Sequence, residues 1–313
     1  MNTSSRFCLS AALLLGPALG AFARIERIVE KSFPVTGTGT LHVETHGGEI
    51  RVSPSNDAVV RVTAKEKIRA GSDAEADELL KKLSLTLEQR GNDVSVVAKY
   101  ERQPFGFHGS WPPVQVDVIV TLPASYATEL HTSGGPITVG DFQGKAELHT
   151  SGGKISLGKM GGRVDAKTSG GSITLEEAGD AVELKTSGGN ISVGRSNGPA
   201  ELSTSGGSIK VESVASSLRA HTSGGSIRAN ILGPLKRECS LSTSGGSVQV
   251  SVDKAAAFRL DAATSGGGVD VDGLTMTVEK LSRARNQLTA TINGGGPLLK
   301  LRTSGGGIAV RAN

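Results

Sequence analysis

A four-residue motif, Thr-Ser-Gly-Gly, occurs nine times in this chain and constrains its fold more than any other feature. The first six copies are eighteen residues apart, and the full set begins at Thr132, Thr150, Thr168, Thr186, Thr204, Thr222, Thr243, Thr264 and Thr303. A fixed period of this length is typical of repeat architectures whose units stack on one another. The chain has 43 Gly in 313 residues but lacks the strict triplet period of collagen, so the glycines must serve a repeated backbone geometry.

Each motif lies between two short segments in which apolar and polar residues alternate. Ala146-Glu147-Leu148-His149-Thr150 leads into one copy, and Ile155-Ser156-Leu157 follows it. Alternation with a period of two predicts strands with one buried face. The glycines between two such strands predict a corner, because Gly adopts backbone conformations that a side chain forbids.

The repeat length and the alternation together predict an all-β fold. Eighteen residues at about 3.3 Å each span roughly 59 Å, which suits one coil of two or three short strands. We therefore predict a single-stranded β-solenoid, or β-helix, of about ten coils and roughly 45 to 50 Å in length. The segments Thr45-His46-Gly47-Gly48 and Ile292-Asn293-Gly294-Gly295 are interpreted as degenerate copies of the motif.

Equivalent inward positions form apolar columns along this solenoid, with the motif Thr also on the inward side. One column is predicted to contain Ala146, Val164, Val182, Ala200, Leu218, Cys239 and Leu260. A second is predicted to contain Ile137, Ile155, Ile173, Ile191, Ile209, Ile227, Val248 and Val269. Cys239 is accordingly expected to be a buried, small apolar residue without reactivity.

The N-terminus has the pattern of a secretory signal peptide covering residues 1–23. A single charge, Arg6, precedes an apolar stretch that closes on Ala21-Phe22-Ala23. Cleavage there would remove Cys8 and leave Cys239 as the one thiol, so no internal disulfide is expected. The protein is predicted to be exported to the periplasm, the cell surface or the medium, with no transmembrane span after cleavage.

Residues 24–125 lack the exact motif and are predicted to form a β-rich capping region with one helix, followed by the solenoid at 126–313. Ser72 and Glu75 form a capping box that opens a helix over about residues 73–83. Ala76, Leu79, Leu80 and Leu83 follow at helical spacing as one apolar stripe. A solenoid exposes strand edges at its ends, so this region is expected to cover the first coil.

The Thr-Ser-Gly-Gly-x-Ile ladder after a signal peptide resembles the bacterial DUF4097 putative-adhesin family. The C-terminal segments, residues 293–297 and 301–306, add to the resemblance. The resemblance implies a β-strand-repeat protein of the cell envelope with no established reaction. It implies no site residues, because the shared pattern consists of glycines and hydroxyls that build the fold.

Two outward columns of charged residues precede the corners. The first contains Glu129, Glu147, Asp165, Glu183 and Glu201, and the second contains His131, His149, Lys167, Lys185, Ser203 and His221. His131 and His149 beside Glu147 could form a metal-binding stripe, but a solvated face with offsetting charges is the favoured interpretation, so no metal or other cofactor is predicted. A calcium β-roll is disfavoured because Ile or Val occupies the place where its repeat requires Gly.

The predicted partner contacts lie where the repeat fails. A loop at residues 100–113 gathers four of the ten Phe, Tyr and Trp residues of the chain, and a basic segment lies at residues 273–287. The candidate contact residues are Tyr100, Phe105, Phe107, His108, Trp111, Lys280, Arg283 and Arg285. The aromatic loop could equally fold back as a hydrophobic lid on the cap.

The function predicted from these features is a non-catalytic, adhesin-like scaffold that binds a protein or glycan of the cell envelope. The net charge of +4 gives no electrostatic case for nucleic acid as a partner. The alternatives are a carbohydrate-active β-helix lyase or hydrolase, and a purely structural or regulatory envelope module. An enzyme is disfavoured because the repeats contain few aromatic residues for a sugar platform and no distinct carboxylate pair.

Overall fold

A computed structural model describes residues 24–101, 113–282 and 284–313 of the chain. The predicted signal peptide lies outside the described residues and stays a prediction. The described residues form two large, mainly parallel sheets, here called sheet A and sheet B, with 13 and 14 strands. Each coil contributes one strand to sheet B and the next strand to sheet A, and in nine coils a Thr-Ser-Gly-Gly corner joins the two strands.

The described elements ahead of the first exact corner build the N-terminal part of the rod. They are β1 (Arg24–Pro34), β2 (Thr40–Thr45), β3 (Ile50–Ser55), β4 (Val59–Arg69), α1 (Asp73–Leu80), β5 (Leu83–Arg90), β6 (Asp93–Tyr100), β7 (Val114–Pro123) and β8 (Ala127–Thr132).

Through the regular repeats, odd-numbered strands belong to sheet A and even-numbered strands to sheet B. They are β9 (Ile137–Val139), β10 (Ala146–Thr150), β11 (Ile155–Met160), β12 (Val164–Lys167), β13 (Ile173–Ala178), β14 (Val182–Lys185), β15 (Ile191–Ser196), β16 (Ala200–Thr204), β17 (Ile209–Val214), β18 (Leu218–Thr222), β19 (Ile227–Ile231), β20 (Cys239–Thr243) and β21 (Val248–Val252). The C-terminal strands are β22 (Phe258–Thr264), β23 (Val269–Asp272), β24 (Met276–Leu281), β25 (Gln287–Ile292), β26 (Leu298–Thr303) and β27 (Ile308–Ala312).

The predicted solenoid is confirmed. Eleven coils follow from the strand order, and ten spacings of about 4.8 Å give a rod of roughly 48 Å. Neighbouring coils pair in parallel and in register, with Ile155 beside Ile137 on one side and Ile173 on the other. The predicted inward residues of both columns are buried along most of the rod, and they form one continuous core with the inward Thr side chains.

The hydroxyl of each motif Thr links two coils. Thr150 Oγ1 donates to the carbonyl oxygen of Gly135 in the preceding coil at 3.0 Å. The same oxygen accepts from the backbone N–H of Gly153 in its own corner at 3.2 Å. Thr168 and Thr186 repeat both bonds one and two coils further on. The Thr of the motif is therefore a buried hydrogen-bonding bridge between coils, which keeps the corner groups satisfied away from water.

The corner glycines are required by close approach rather than by an unusual backbone conformation. A Cβ on Gly171 would lie 1.9 Å from the carbonyl oxygen of Gly153, and one on Gly189 would lie 2.0 Å from that of Gly171. No glycine of the nine exact motifs has a positive φ among the described residues. The corner lies where the motif predicts it. The predicted reason, that Gly adopts backbone conformations forbidden to other residues, is wrong at these positions.

The two degenerate copies differ in outcome. Thr45 and Gly48 form a true corner, with Thr45 Oγ1 donating to Val116 O at 3.1 Å. The interpretation of the second copy is wrong, because Gly294 and Gly295 have φ values of 86° and 87° and form a turn after an antiparallel strand.

The chain order is broken near both ends of the rod. The coil β2–β3 lies between β6–β7 and β8–β9, so the predicted boundary at residue 125 coincides with no break in either sheet. The coil β26–β27 similarly lies between β20–β21 and β22–β23. Leu299 consequently separates Cys239 from Leu260 in the first column, and Ile308 separates Val248 from Val269 in the second.

Antiparallel strands and the helix cover the N-terminal end. Strands β4 and β1 extend sheet A beyond β7, and β5 extends sheet B beyond β6. Helix α1 connects β4 to β5, with the Ser72 hydroxyl accepting from Glu75 N–H at 3.2 Å and Ala76 fully buried. The helix ends at Leu80, earlier than predicted, because Leu83 already pairs with Tyr100 in β5 and β6.

Candidate functional site

The outer face of sheet B carries the two charged columns that the sequence predicted. In register, Glu147 lies beside Glu129 and Asp165, and His149 lies beside His131 and Lys167. The pattern changes in the coil of β2, where His42 lies beside Glu129 and Glu44 lies beside His131. Registered neighbours on one face have side chains within contact distance. The charged side chains of each row therefore lie at a fixed spacing along the rod.

Three histidines gather at the N-terminal part of this face. The ring centroids of His42 and His131 are 6.0 Å apart, and those of His131 and His149 are 6.2 Å apart. Burial lowers the pKa of His131, and repulsion from His42 and His149 adds to this, against a partial offset by Glu147 and Glu44. Across the described ranges, no group of three or more His, Cys, Asp or Glu side chains is arranged to hold a metal ion.

A groove runs parallel to the rod axis along the edge of this face where strands β14, β16 and β18 begin. Its floor is made of small residues that occupy one position in three successive coils, namely Ala181, Pro199 and Ser217. Arg163 closes one end, and Arg237 with Glu238 closes the other. The groove has a volume of about 400 Å³ and spans four coil spacings, or roughly 19 Å.

One long wall of the groove consists of Glu183, Glu201, Arg219 and Ser240, which are successive members of the outward column on β14 to β20. Glu183 accepts from Lys185 Nζ at 2.5 Å and lies 3.6 Å from Arg163. The bond from Lys185, together with the charges of Lys185, Lys167 and Arg163, lowers the pKa of Glu183. In the part of the chain described, the side chains of Glu201, Arg219 and Arg237 take part in no hydrogen bond or ion pair.

Two sequence features produce this groove, which the repeat period and the charged columns do not predict. The floor residues stand where the neighbouring coils have the long side chains of Lys145 and Arg163. The interval between Thr222 and Thr243 is three residues longer than the repeat, and the extra length forms a loop at residues 232–238 that ends the groove. Small residues at an outward repeat position, next to an insertion, are the signal that could have predicted it.

The described members of the predicted contact set lie at opposite ends of the rod. Tyr100 is 4% exposed at the end of β6, where it belongs to the core. Lys280 lies on β24 and Arg285 in the turn after it, both exposed, at the opposite end of the rod. Phe105, Phe107, His108, Trp111 and Arg283 lie outside the described residues, so their role stays a prediction.

Cys239 has the environment predicted for it. Its side chain is fully buried, and its sulfur accepts from Leu218 N–H at 3.4 Å. Burial raises the pKa of the thiol, which keeps it in the unreactive protonated form.

The fold is that of a β-solenoid with two parallel sheets, and the outer face of sheet B carries ordered rows of charge. The chain belongs to the Toastrack DUF4097 family, whose sequence profile matches residues 38–311. The resemblance inferred from the motifs is thereby confirmed. No curated protein matches the sequence.

Several solved structures are similar to this chain along most of its length. A putative adhesin from Bacteroides fragilis is 10% identical, with 92% of this chain and 97% of that chain covered and a TM-score of 0.39. A putative lipid binding protein from Parabacteroides distasonis is 12% identical, with coverage of 91% and 96% and a TM-score of 0.38. A putative cell adhesion protein from Clostridium sporogenes is 12% identical, with coverage of 93% and 100% and a TM-score of 0.23.

Proposed function

We propose that this protein is an exported, non-catalytic scaffold that binds a protein or glycan of the cell envelope through the outer face of sheet B. The observation that carries the proposal is the groove and the two charged rows on that one face. In-register pairing and the Thr bridges hold the backbone that carries these side chains. Binding therefore costs little backbone conformational entropy. Family membership supports the solenoid architecture of this scaffold.

The electrostatics of the groove support binding rather than hydrolysis. A glycoside hydrolase needs one carboxylic acid whose pKa is raised, so that it can protonate the leaving group. The pKa of Glu183 moves the opposite way, because Lys185 and Arg163 stabilise its charged form. The carbohydrate-active enzyme is therefore the second candidate function, and a structural or regulatory envelope module is the third.

The location follows from the proposal of export. Cleavage after Ala23 would release a chain that begins at Arg24, the first residue of β1. Among residues 24–101, 113–282 and 284–313, no helix has the length and apolar character needed to cross a membrane. The intact mass of the protein recovered from the periplasm or the medium tests the cleavage site directly.

Binding is best tested by comparing the two faces of the rod. The double variant Lys167→Glu/Lys185→Glu reverses charge on sheet B, and Lys159→Glu/Arg195→Glu makes the same change on sheet A. On a glycan array and with envelope extract, we expect the sheet B variant to lose at least about tenfold in apparent affinity. The sheet A variant should bind like the parent protein.

Two results would contradict the proposal. Equal loss from both double variants would show that the binding has no face preference, and the sheet B assignment would be wrong. Release of hydrolysis or elimination products from an envelope polysaccharide would instead establish the enzyme. Both variants change outward-facing positions, so melting temperatures within a few degrees of the parent are expected and check that the fold is kept.

A further inference from the structure

The groove on sheet B contains charged side chains that take part in none of its ion pairs. Glu183 is already neutralised by Lys185 and Arg163. Glu201 and Arg219 are registered neighbours on β16 and β18, one coil spacing of about 4.8 Å apart. Arg237 follows in the loop at the end of the groove, with Glu238 beside it.

The free charges are separated along the rod axis. Glu201 offers an anion on one side, and on the other side Arg219 and Arg237 offer two guanidinium groups against the single carboxylate of Glu238. Arg binds carboxylates with paired, charge-assisted hydrogen bonds, and a carboxylate accepts charge-assisted hydrogen bonds from an ammonium group. A polyanion fits poorly, because three glutamates line the groove beside its three arginines.

We propose that this groove binds a small zwitterion with an ammonium group and a carboxylate about one to two coil spacings apart, such as a dipeptide with free termini. The carboxylate lies against Arg219 and Arg237, the ammonium group lies against Glu201, and the part between them rests on Pro199 and Ser217. The volume of about 400 Å³ is within the range of small-molecule sites. The inference deepens the proposed function by naming a ligand class for the binding face, and it rests on that proposal for its biological setting.

The probe is the dipeptide Ala-Ala with free termini, titrated calorimetrically into the purified chain. Its N-acetylated form lacks the ammonium group, and its C-terminal amide lacks the carboxylate. Because the groove is open and solvated, we expect a Kd on the order of 1 mM for the free dipeptide. Each blocked form should bind roughly tenfold more weakly or worse.

Variants locate the two charges by thermodynamic cycles. Arg219→Gln/Arg237→Gln should weaken the free dipeptide roughly tenfold but leave the C-terminal amide unaffected, since its carboxylate is already gone. Glu201→Gln should act in the same way against the N-acetylated form. Arg195→Gln, at an exposed position on sheet A, is the matched control and should change nothing. Ser217→Trp should block the groove without any change of charge.

The proposal is overturned if the blocked and free dipeptides bind alike, if none of them binds, or if Arg195→Gln weakens binding as much as the groove variants. Its failure is separable from that of the proposed function. If the dipeptides fail to bind as expected and the groove variants still bind envelope material like the parent, only the zwitterion site is disproved. If Lys167→Glu/Lys185→Glu also binds like the parent, the sheet B face itself is wrong.

Discussion

At the scale of single residues, the motif is a set of contacts between coils. Thr supplies a donor and an acceptor at one buried point, and the second Gly lets the carbonyl of the preceding coil approach where a Cβ would overlap it. The motif Ser contributes through its backbone, because its side chain is exposed at the corner. Ser151, for example, accepts with its carbonyl oxygen from the N–H groups of Ser169 and Gly170 in the next coil. The residues of the motif are thus set by coil spacing and by hydrogen-bond satisfaction rather than by chemistry at a surface.

Thr186 tests the bridge in the middle of the rod. Its Oγ1 donates to Gly171 O at 2.8 Å and accepts from Gly189 N–H at 3.3 Å. Thr186→Val keeps the shape but leaves both backbone groups without the hydroxyl, so we expect a loss of about 1–3 kcal/mol. Thr186→Ser keeps the hydroxyl and loses a methyl group, for about 0.8 kcal/mol.

Urea titration followed by circular dichroism measures the Thr186 variants. The order parent, Ser, Val in decreasing stability is the expected result. A Ser variant that is as unstable as the Val variant would show that the methyl group, and not the bridge, supports the corner.

His131 makes stability depend on pH. Burial and the neighbouring His42 and His149 lower its pKa in the folded protein, whereas the unfolded chain has the ordinary value of about 6.5. Between these values the unfolded state binds more protons, so acidification favours unfolding. We expect full stability above about pH 6.5 and a progressive loss as the pH falls below it.

Melting temperatures between pH 7.5 and pH 5, read at intervals of about half a unit, check this dependence. His131→Gln should flatten the acidic part of the curve. His221→Gln is the matched control, since His221 lies further along the same column beside Ser242. Equal flattening by both variants would contradict a specific role for the cluster of three histidines.

At the scale of elements, the repeat predicts each coil but not the order in which coils stack. Strand, corner and inward face follow from alternation and from the motif, and the buried columns confirm them. The positions of β2–β3 and β26–β27 do not follow, because the inward residues of different coils are alike, for example Ile137, Ile155 and Ile173. Any coil can pack on any other, so only the connections outside the repeat decide which coil lies next.

The candidate site was predicted only in part, for a related reason. The charged rows follow from the period, because registered positions recur every eighteen residues. The groove depends on the length of neighbouring side chains and on where the loop at residues 232–238 folds, and neither is a periodic property. The aromatic residues that follow Tyr100 in the sequence predict a contact role for it, whereas pairing in β6 places its side chain in the core.

Strand β24 is the element most exposed to unwanted pairing. It is the edge of sheet B, and a bulge between Val278 and Lys280 puts Met276, Val278 and Leu281 opposite the inward residues of β25. These three side chains are 39%, 46% and 53% exposed, because sheet A ends before it reaches them. An exposed apolar edge favours self-association.

Val278→Lys should therefore reduce self-association at high protein concentration while changing stability by less than about 0.5 kcal/mol. Thr277→Lys adds the same charge one residue away on the other face of β24 and should have the smaller effect. Light scattering on a size-exclusion column gives the mass of each variant. The edge is not the cause of any association if the two substitutions act equally.

At the scale of the whole molecule, the rod consists of interchangeable units between two special ends. The ends resemble each other, since each places one coil out of chain order and adds antiparallel strands beyond the last coil. The central coils from β8 to β21 follow the chain in order, and each contacts only its neighbours. Stability of such a stack is approximately a sum of unit and interface terms, so removing one central unit should lose little more than the terms of that unit.

Deleting residues 169–186 removes one whole repeat and joins Thr168 to Ser187, which restores the motif at the junction. We expect a folded rod one coil shorter, with a melting temperature lowered by less than about 10 °C. Deleting only residues 173–181 removes β13 and its connection, which is half a coil. Every later strand would then have to change sheets, and the corner contacts of the Thr and Gly columns would be lost on all later coils.

The half-coil deletion should therefore fail to fold, although it removes half as many residues. Far-ultraviolet circular dichroism and thermal melting of the two deletions distinguish the cases. Equal damage from both would mean that the coils are not equivalent units, and that the longer-range arrangement of the ends controls folding. Survival of the whole-coil deletion alone would show that the eighteen-residue period, rather than chain length, is the quantity the fold depends on.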